Sequence, residues 1–281
     1  MVEPVTVAVL MACFNRREVT LRCLRTLLSQ EVPLVRLDVV LVDDGSSDGT
    51  AEAVRAEFPS VQIVAGTGSL YWSASMALAW RVAAEFDPDW YLLLNDDVEV
   101  LPGAVARLIG FATASADQPT IMAGAMTDPE TGATTYGGHR LISRWNPMAF
   151  EPVEPSATEP LSVDLFSGNL VLVPRSVYQI VGTIDPAYSH GIGDFDYARR
   201  AASLGVELLL APGHYGRCAL NAPMEHSLRS FFTSVKTHRN PRDWARYCWR
   251  HGHWWALPVS IPGPYVKAIV RWLTRRPIVT Y

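Results

Sequence analysis

With 281 residues, 49% of them apolar, the chain can bury one large α/β core, with or without an appendage. Its formal net charge of -4 gives no case for a nucleic-acid partner. Cys13, Cys23, Cys218 and Cys248 have neither CxxC spacing nor a dense framework, so they read as reduced thiols of a cytosolic protein. No charged n-region with a long apolar stretch opens the chain, and no run reaches the ~20 apolar residues of a membrane span.

Val5 to Met11 is a valine-rich apolar run and reads as a first buried strand, ending in Ala12-Cys13-Phe14-Asn15-Arg16. Glu18 to Ser29 has helical periodicity through Val19, Leu21, Leu24, Leu27 and Leu28. Leu37 to Val42 is a second strand, followed by Asp43-Asp44-Gly45-Ser46-Ser47-Asp48-Gly49-Thr50. Ser47 or Asp48 can cap the next helix, which runs to about Phe58. Val61 to Ala65 is a third strand, and a helix follows from about Ser73 to Phe86. Tyr91-Leu92-Leu93-Leu94 is continuously apolar, as a central parallel strand covered on both faces should be, and it ends in Asn95-Asp96-Asp97. The strand–helix alternation predicts a mainly parallel Rossmann-like sheet flanked by helices. Polar residues follow every strand, at the edge where open α/β sheets bind ligands. Asp96 and Asp97 repel each other unless a cation lies close, and oxygen ligands suit Mg²⁺ or Mn²⁺. The plainer alternative is a polar turn with Asp97 as a helix cap. Neither GxGxxG after the first strand nor GxxxxGK[ST] occurs, which argues against an NAD site and a P-loop.

Pro102 to Ala114 reads as a helix with proline in its first turn, and Thr120 to Ala125 as a strand. Thr127 to Gly138 suggests a hairpin or loop. Arg144 to Pro160, with four prolines, reads as a mobile loop or surface excursion. Leu161 to Val173 alternates around Phe166-Ser167-Gly168-Asn169, and Arg175 to Val181 is a short helix. Gly191-Ile192-Gly193-Asp194-Phe195-Asp196 opens a helix to about Leu204, where Asp194 is either a helix cap or a reactive carboxylate. Val206 to Leu210 is the last strand, before Ala211-Pro212-Gly213-His214.

ACFNR, VDDGSSDGT and LLLNDDVEV, in this order, resemble the inverting family 2 glycosyltransferases of GT-A fold, and the resemblance runs over about residues 5 to 240. It implies that Phe14 and Asn15 flank a nucleoside and that Asp43 or Asp44 bonds its base. It implies further that Asn95-Asp96-Asp97 is the family's DxD element, with Asp97 on the metal (Mn²⁺ or Mg²⁺) and Asp96 near the ribose. Asn95 stands where the first Asp is usual. By the same resemblance Asp194 is the general base, with Gly193 in place of a usual Glu. Asp196 then holds its helix or contacts the acceptor, and Arg199 has a structural partner or neutralises the carboxylates. The resemblance makes His214, with His226 as alternative, an added metal ligand. Gly68-x-Leu70-x-Trp72 is similar to a G-x-L-x-W segment of rhamnosyltransferase-like members, although Ser73, Ala74, Ser75 and Met76 replace the usual glycines and asparagine.

The expected division is a catalytic domain over 1–238 and a helical appendage over 239–281. Residues 1–100 form the nucleotide-binding half of the first, and 101–238 the acceptor half. Residues 240–281 hold five of the nine tryptophans, and seven Lys or Arg against one acid, Asp243. Arg242, Arg246 and Arg250 share one helical face. Trp with Arg suits an anionic bilayer surface; the alternatives are packing onto the catalytic domain or into a homodimer. The expected partners are a nucleoside diphosphate-sugar donor, dTDP-rhamnose or a UDP-sugar, and a glycan or lipid-linked saccharide acceptor. A nucleotidyltransferase and a catalytically silent nucleotide-sugar or glycan-binding module are the rival readings.

Overall fold

The computed structural model describes residues 4–115, 118–143, 145–222, 224–233 and 240–280. The first half alternates as expected. Its elements are β1 (Val5–Cys13), α1 (Arg17–Leu28), β2 (Val35–Asp43), α2 (Thr50–Glu57), β3 (Gln62–Ala65), α3 (Tyr71–Ala84) and β4 (Trp90–Leu94). Both faces of β1, of the second half of β2 and of β4 are buried, which is why these stretches run apolar without alternating polar residues. Ala8, Leu10, Val40, Val42, Tyr91 and Leu93 meet Met76 and Trp80 of α3 on one face. Val7, Val9, Leu41, Leu92 and Leu94 meet Leu21, Leu24 and Leu27 of α1 on the other.

The second half continues with β5 (Glu99–Val100), α4 (Ala104–Ala114), β6 (Thr120–Thr127), β7 (Gly138–Leu141), β8 (Phe150–Val153), β9 (Leu161–Ser162), β10 (Leu165–Phe166), β11 (Leu170–Pro174), α5 (Arg175–Val181), α6 (Gly193–Ser203) and β12 (Glu207–Arg217). The main sheet has the order β3-β2-β1-β4-β11-β6-β12-β5. Strands β3, β2, β1 and β4 are mutually parallel, whereas β11 is antiparallel to both β4 and β6. That reversal positions the site. Leu170 pairs with Leu94, so the turn before β11 lies beside the residues that follow β4.

Three expectations need adjusting. Helix α4 starts at Ala104, because Gly103 takes a left-handed φ of 71° and Pro102 stays in the turn before it. Residues 145–160 do not form a structureless loop: β8 pairs with β7 in a three-stranded sheet with β10. Arg144 lies outside the described residues. Strand β12 runs past Leu210 through an irregularity and places His214 opposite Ala125 of β6.

The tail contains β13 (Met224–His226), α7 (Leu228–Thr233), α8 (Pro241–His251), α9 (Leu257–Ser260), α10 (Gly263–Leu273) and β14 (Ile278–Thr280). Asn240 caps α8 by accepting the Arg242 N–H at 3.0 Å. The arginine face expected to meet lipid is partly turned inward. Arg250 pairs with Asp185 at 2.9 Å and with Asp196 at 2.8 Å, and Arg246 lies 3.5 Å from Asp185. Two acids near the start of α6 outcompete solvent for these side chains. Asp243 adds a pin by accepting the Ser189 N–H at 2.9 Å, and Tyr247 of α8 enters the same core cluster as α3 and α6.

Candidate active site

The residues after β1, β2 and β4, the turn before β11 and the start of α6 meet at one edge of the sheet. Asn15 adopts a left-handed φ of 50°, a conformation that Asn tolerates better than most residues. There its N–H donates to Ser46 Oγ at 2.9 Å, and its Oδ1 accepts the Ser47 N–H at 2.8 Å. Asn15 thus ties the first loop to the second. Phe14, beside it, is half exposed. Asp43 and Asp44 are both buried. Asp44 uses both oxygens on the loop before α3, accepting from the Gly68 and Tyr71 N–H groups at 2.8 and 3.0 Å. Asp43 Oδ1 accepts the Ser46 N–H at 2.8 Å.

The acidic motif is held by Arg16, visible in the sequence only as part of ACFNR. Arg16 donates to Asp96 Oδ1 at 2.8 Å and to Asp97 Oδ2 at 2.9 Å. One guanidinium therefore does for two neighbouring carboxylates what a cation must do. Thr20 Oγ1 donates to Asp96 Oδ2 at 3.2 Å. Burial pushes the Asp96 carboxyl up to about 7, with Arg16 opposing the rise and Asp97 adding to it. Asp97 Oδ1 is buried and has no hydrogen-bond partner among the described residues. An orphaned carboxylate oxygen beside a second carboxylate fits a divalent ion completed by substrate phosphates. No group of three His, Cys, Asp or Glu able to hold an ion occurs among the described residues. His214 is engaged elsewhere: its Nε2 lies 2.9 Å from Thr134 Oγ1, and its carbonyl accepts from Arg107 at 2.7 Å. A metal role for this imidazole would require the Thr134 contact to open.

Asp194 sits at the start of α6, where helix N–H groups are unpaired. Its Oδ1 accepts the Phe195 N–H at 2.9 Å and its Oδ2 accepts the Gly168 N–H at 2.9 Å. Burial nevertheless prevails over these bonds and raises its pKa to about 6. The Asn95 N–H donates to the Asn169 carbonyl at 3.1 Å, so the acidic motif and the support of Asp194 share one turn.

Asp196, two residues on, is fully buried and serves structure. It accepts from Tyr188 at 3.1 Å, from Arg200 at 2.9 Å and from Arg250 at 2.8 Å, with His251 Nε2 at 2.8 Å. Arg200, rather than Arg199, is the helical partner, four residues on. Arg250 and His251 lie more than fifty residues away in the chain, so no local pattern could reveal them. The cluster holds the Asp196 carboxyl down at about 2 against the burial that would raise it. Asp196→Ala strands these cations around an empty site and should cost about 3 kcal/mol of stability. Urea unfolding at pH 7 measures this, and a loss below about 1 kcal/mol would mean that the cluster is not cooperative. The folded-state pKa is depressed, so the contribution is present above about pH 4 and disappears as pH falls towards 2.

The sequence profile of "Glycosyl transferase family 2" matches residues 8–175, more than half of the chain. The chain belongs to family 2 of the glycosyltransferases. This glycosyltransferase is 24% identical to the N-acetylglucosaminyl-diphospho-decaprenol L-rhamnosyltransferase of Mycobacterium tuberculosis (strain CDC 1551 / Oshkosh), over 79% of its own length and 78% of that protein's. Solved structures share its fold. The mannosyltransferase PcManGT of Pyrobaculum calidifontis, in complex with GDP-Man and Mn²⁺, aligns with a TM-score of 0.57 at 16% identity, over 98% of this chain and 80% of that one. GalNAc-T7 with UDP, GalNAc and Mn²⁺ aligns with a TM-score of 0.60 at 17% identity. There the match covers 76% of this chain and only 42% of GalNAc-T7. The glycosyltransferase thus has the GT-A architecture, a mostly parallel sheet flanked by helices.

Proposed function

We propose that this enzyme transfers a sugar with inversion from a nucleoside diphosphate-sugar to a hydroxyl of a lipid-linked saccharide, in the synthesis of a cell-surface polysaccharide. The observation that carries the reading is the shared turn: Gly168 bonds Asp194, and its neighbour Asn169 bonds the backbone of the acidic motif. A base and a diphosphate site then face one another across a single sheet edge. A dTDP-rhamnose donor ranks first and a UDP-sugar second, in keeping with the rhamnosyltransferase relative.

In this mechanism Phe14 and Asn15 border the nucleoside. Asp43 accepts a hydrogen bond from the base through the oxygen that Ser46 leaves unused, and Asp44 keeps the neighbouring loop in shape. Asp96 lies near the ribose, and Asn95 anchors the motif. Asp97 holds a divalent ion, Mn²⁺ or Mg²⁺, which when bound neutralises the leaving diphosphate. Asp194 removes the acceptor hydroxyl proton as that oxygen bonds to the anomeric carbon. The bond from that carbon to the diphosphate breaks on the opposite face, which inverts its configuration.

Thermal shift tests the donor site. UDP, GDP, dTDP and CDP are each added with Mn²⁺, with Mg²⁺ or with EDTA. A nucleotide at a hundred times its Kd stabilises by about 2.7 kcal/mol, which amounts to several degrees. The expected result is a shift with dTDP that EDTA removes. A shift confined to GDP or CDP would overturn the donor assignment, and no shift with any of them would overturn the donor site itself.

A lipid-linked acceptor places the enzyme at a bilayer. No described helix is long and apolar enough to cross one. The tail instead exposes Trp249 and Trp254, and also Trp272 and Leu273, which lie among Lys267, Arg271, Arg275 and Arg276 in the chain. Co-sedimentation with phosphatidylglycerol vesicles should exceed that with phosphatidylcholine vesicles and fall as salt is raised. Equal recovery with both would remove the electrostatic contact. A mass that doubles without lipid would favour a dimer through the same face.

A further inference from the structure

The first turn of α3 touches both ends of the proposed site. Trp72 Nε1 donates to Asn95 Oδ1 at 2.8 Å. The same indole lies against Gly168 so closely that a Cβ there would come within 2.7 Å of its ring, and 3.5 Å from the Cβ of Asp194. Gly168 in turn donates its N–H to Asp194. The next residue, Ser73, is fully buried, and a Cβ at Gly193 would collide with its Oγ. Trp72 therefore packs against the glycine that supports Asp194, and Ser73 against the glycine that precedes it. Asn95, Trp72, Gly168 and Asp194 form one continuous chain of contacts.

We infer that Trp72 is a positioning residue that sets the separation between the acidic motif and the catalytic base. The inference rests on the roles proposed for Asp97 and Asp194. It also accounts for two of the departures of this chain from its family's pattern, Asn95 and Gly193. The indole N–H needs an acceptor, and the Asn95 amide supplies one without adding a third negative charge beside Asp96 and Asp97. Ser73 fills the space that a side chain at position 193 would need, so glycine stands there.

The test uses Trp72→Phe, which keeps a ring against Gly168 and loses the N–H, and Asn95→Ala, which removes the acceptor. Asp194→Asn and Asp97→Asn are run beside them. Each single variant should lower kcat for transfer from dTDP-rhamnose by about tenfold or more, as small misplacements of reacting groups do. The Kd for dTDP with Mn²⁺ should stay within about twofold. The double variant should fall no further than the worse single one, since both break the same contact. Hydrogen exchange over residues 166–171 should quicken in Trp72→Phe while β1 and β4 stay protected, and this readout needs no substrate. A purely structural tryptophan would lower the melting temperature and leave kcat per folded molecule unchanged. Trp72→Phe with normal turnover and normal exchange, beside inactive Asp194→Asn and Asp97→Asn, overturns the positioning role alone. Active Asp194→Asn or Asp97→Asn overturns the reading on which it rests.

Discussion

Asp194→Asn should reduce transfer by about three orders of magnitude, within the range that general-base catalysis supplies, while the nucleoside diphosphate binds as before. The amide keeps the shape of the carboxylate and one acceptor oxygen, but it cannot take a proton from the acceptor hydroxyl. Wild-type kcat/KM should show an acid limb near pH 6, because burial raises the carboxyl to about 6 and the protonated form is inactive. The same shift makes a prediction about stability. A folded-state pKa above the ordinary 3.8 means that ionised Asp194 strains the fold at neutral pH, and that this strain is relieved as pH falls through 6. Asn removes the partly buried charge and gives up one of two N–H contacts. The variant should therefore melt no lower than wild type at pH 7.5, although it is inactive. Near-normal turnover removes Asp194 from the mechanism; a normal rate of donor hydrolysis with no transfer confines it to acceptor activation.

Much of the donor half was legible because local rules and tertiary packing agree there. Strands β1, β2 and β4 are apolar on both faces, and each hands a polar stretch to the same edge. The order of elements and the position of Asn95-Asp96-Asp97 follow from that alone. The second half is harder because its pairing is not local. Strand β11 lies between β4 and β6 and runs against both, so the Gly168 turn reaches the acidic motif by a reversal that no periodicity announces. The segment after residue 144 lacks a period because β8 belongs to a small side sheet of three short strands.

Residues that act by long-range pairing were also hidden. Arg16 was visible only as part of a motif, yet it bonds Asp96 and Asp97 eighty residues on. Trp72 stood out as an aromatic in a recognisable segment, but its bond to Asn95 and its contact with Gly168 required the fold. For the tail, arginines at i, i+4 spacing left a bilayer surface, packing onto the catalytic domain and a homodimer all open, because helix periodicity cannot say which partner a face meets. Asp185 and Asp196 claim Arg250, and Asp185 lies near Arg246. The part of α8 nearest α6 is thus bound to the protein, and any lipid contact falls to Trp249 and to the segments after Gly252.

Asp97→Asn should abolish the metal dependence of nucleotide binding and reduce transfer by about two to three orders of magnitude, since a Lewis-acid partner of the leaving group contributes several kcal/mol. Without an ion, Arg16 bridges the acidic pair, Thr20 supports Asp96, and Asp97 Oδ1 has no donor among the described residues. Removing the Asp97 charge relieves the repulsion that helps raise Asp96, and leaves Arg16 free to pair with Asp96. The variant should therefore remain as stable as wild type, which separates a binding defect from unfolding. In the wild type, EDTA should suppress turnover, and excess Mn²⁺ or Mg²⁺ should restore it. Isothermal titration of the nucleotide with and without ion gives the direct reading: the difference in Kd should be large in wild type and vanish in Asp97→Asn. If that difference survives the substitution, the ion is held elsewhere. His214→Ala is then the discriminating variant, because that imidazole leaves Thr134 only if a stronger partner replaces it. If EDTA leaves wild-type turnover intact, Arg16 itself neutralises the diphosphate, and Arg16→Met rather than Asp97→Asn becomes the inactive variant.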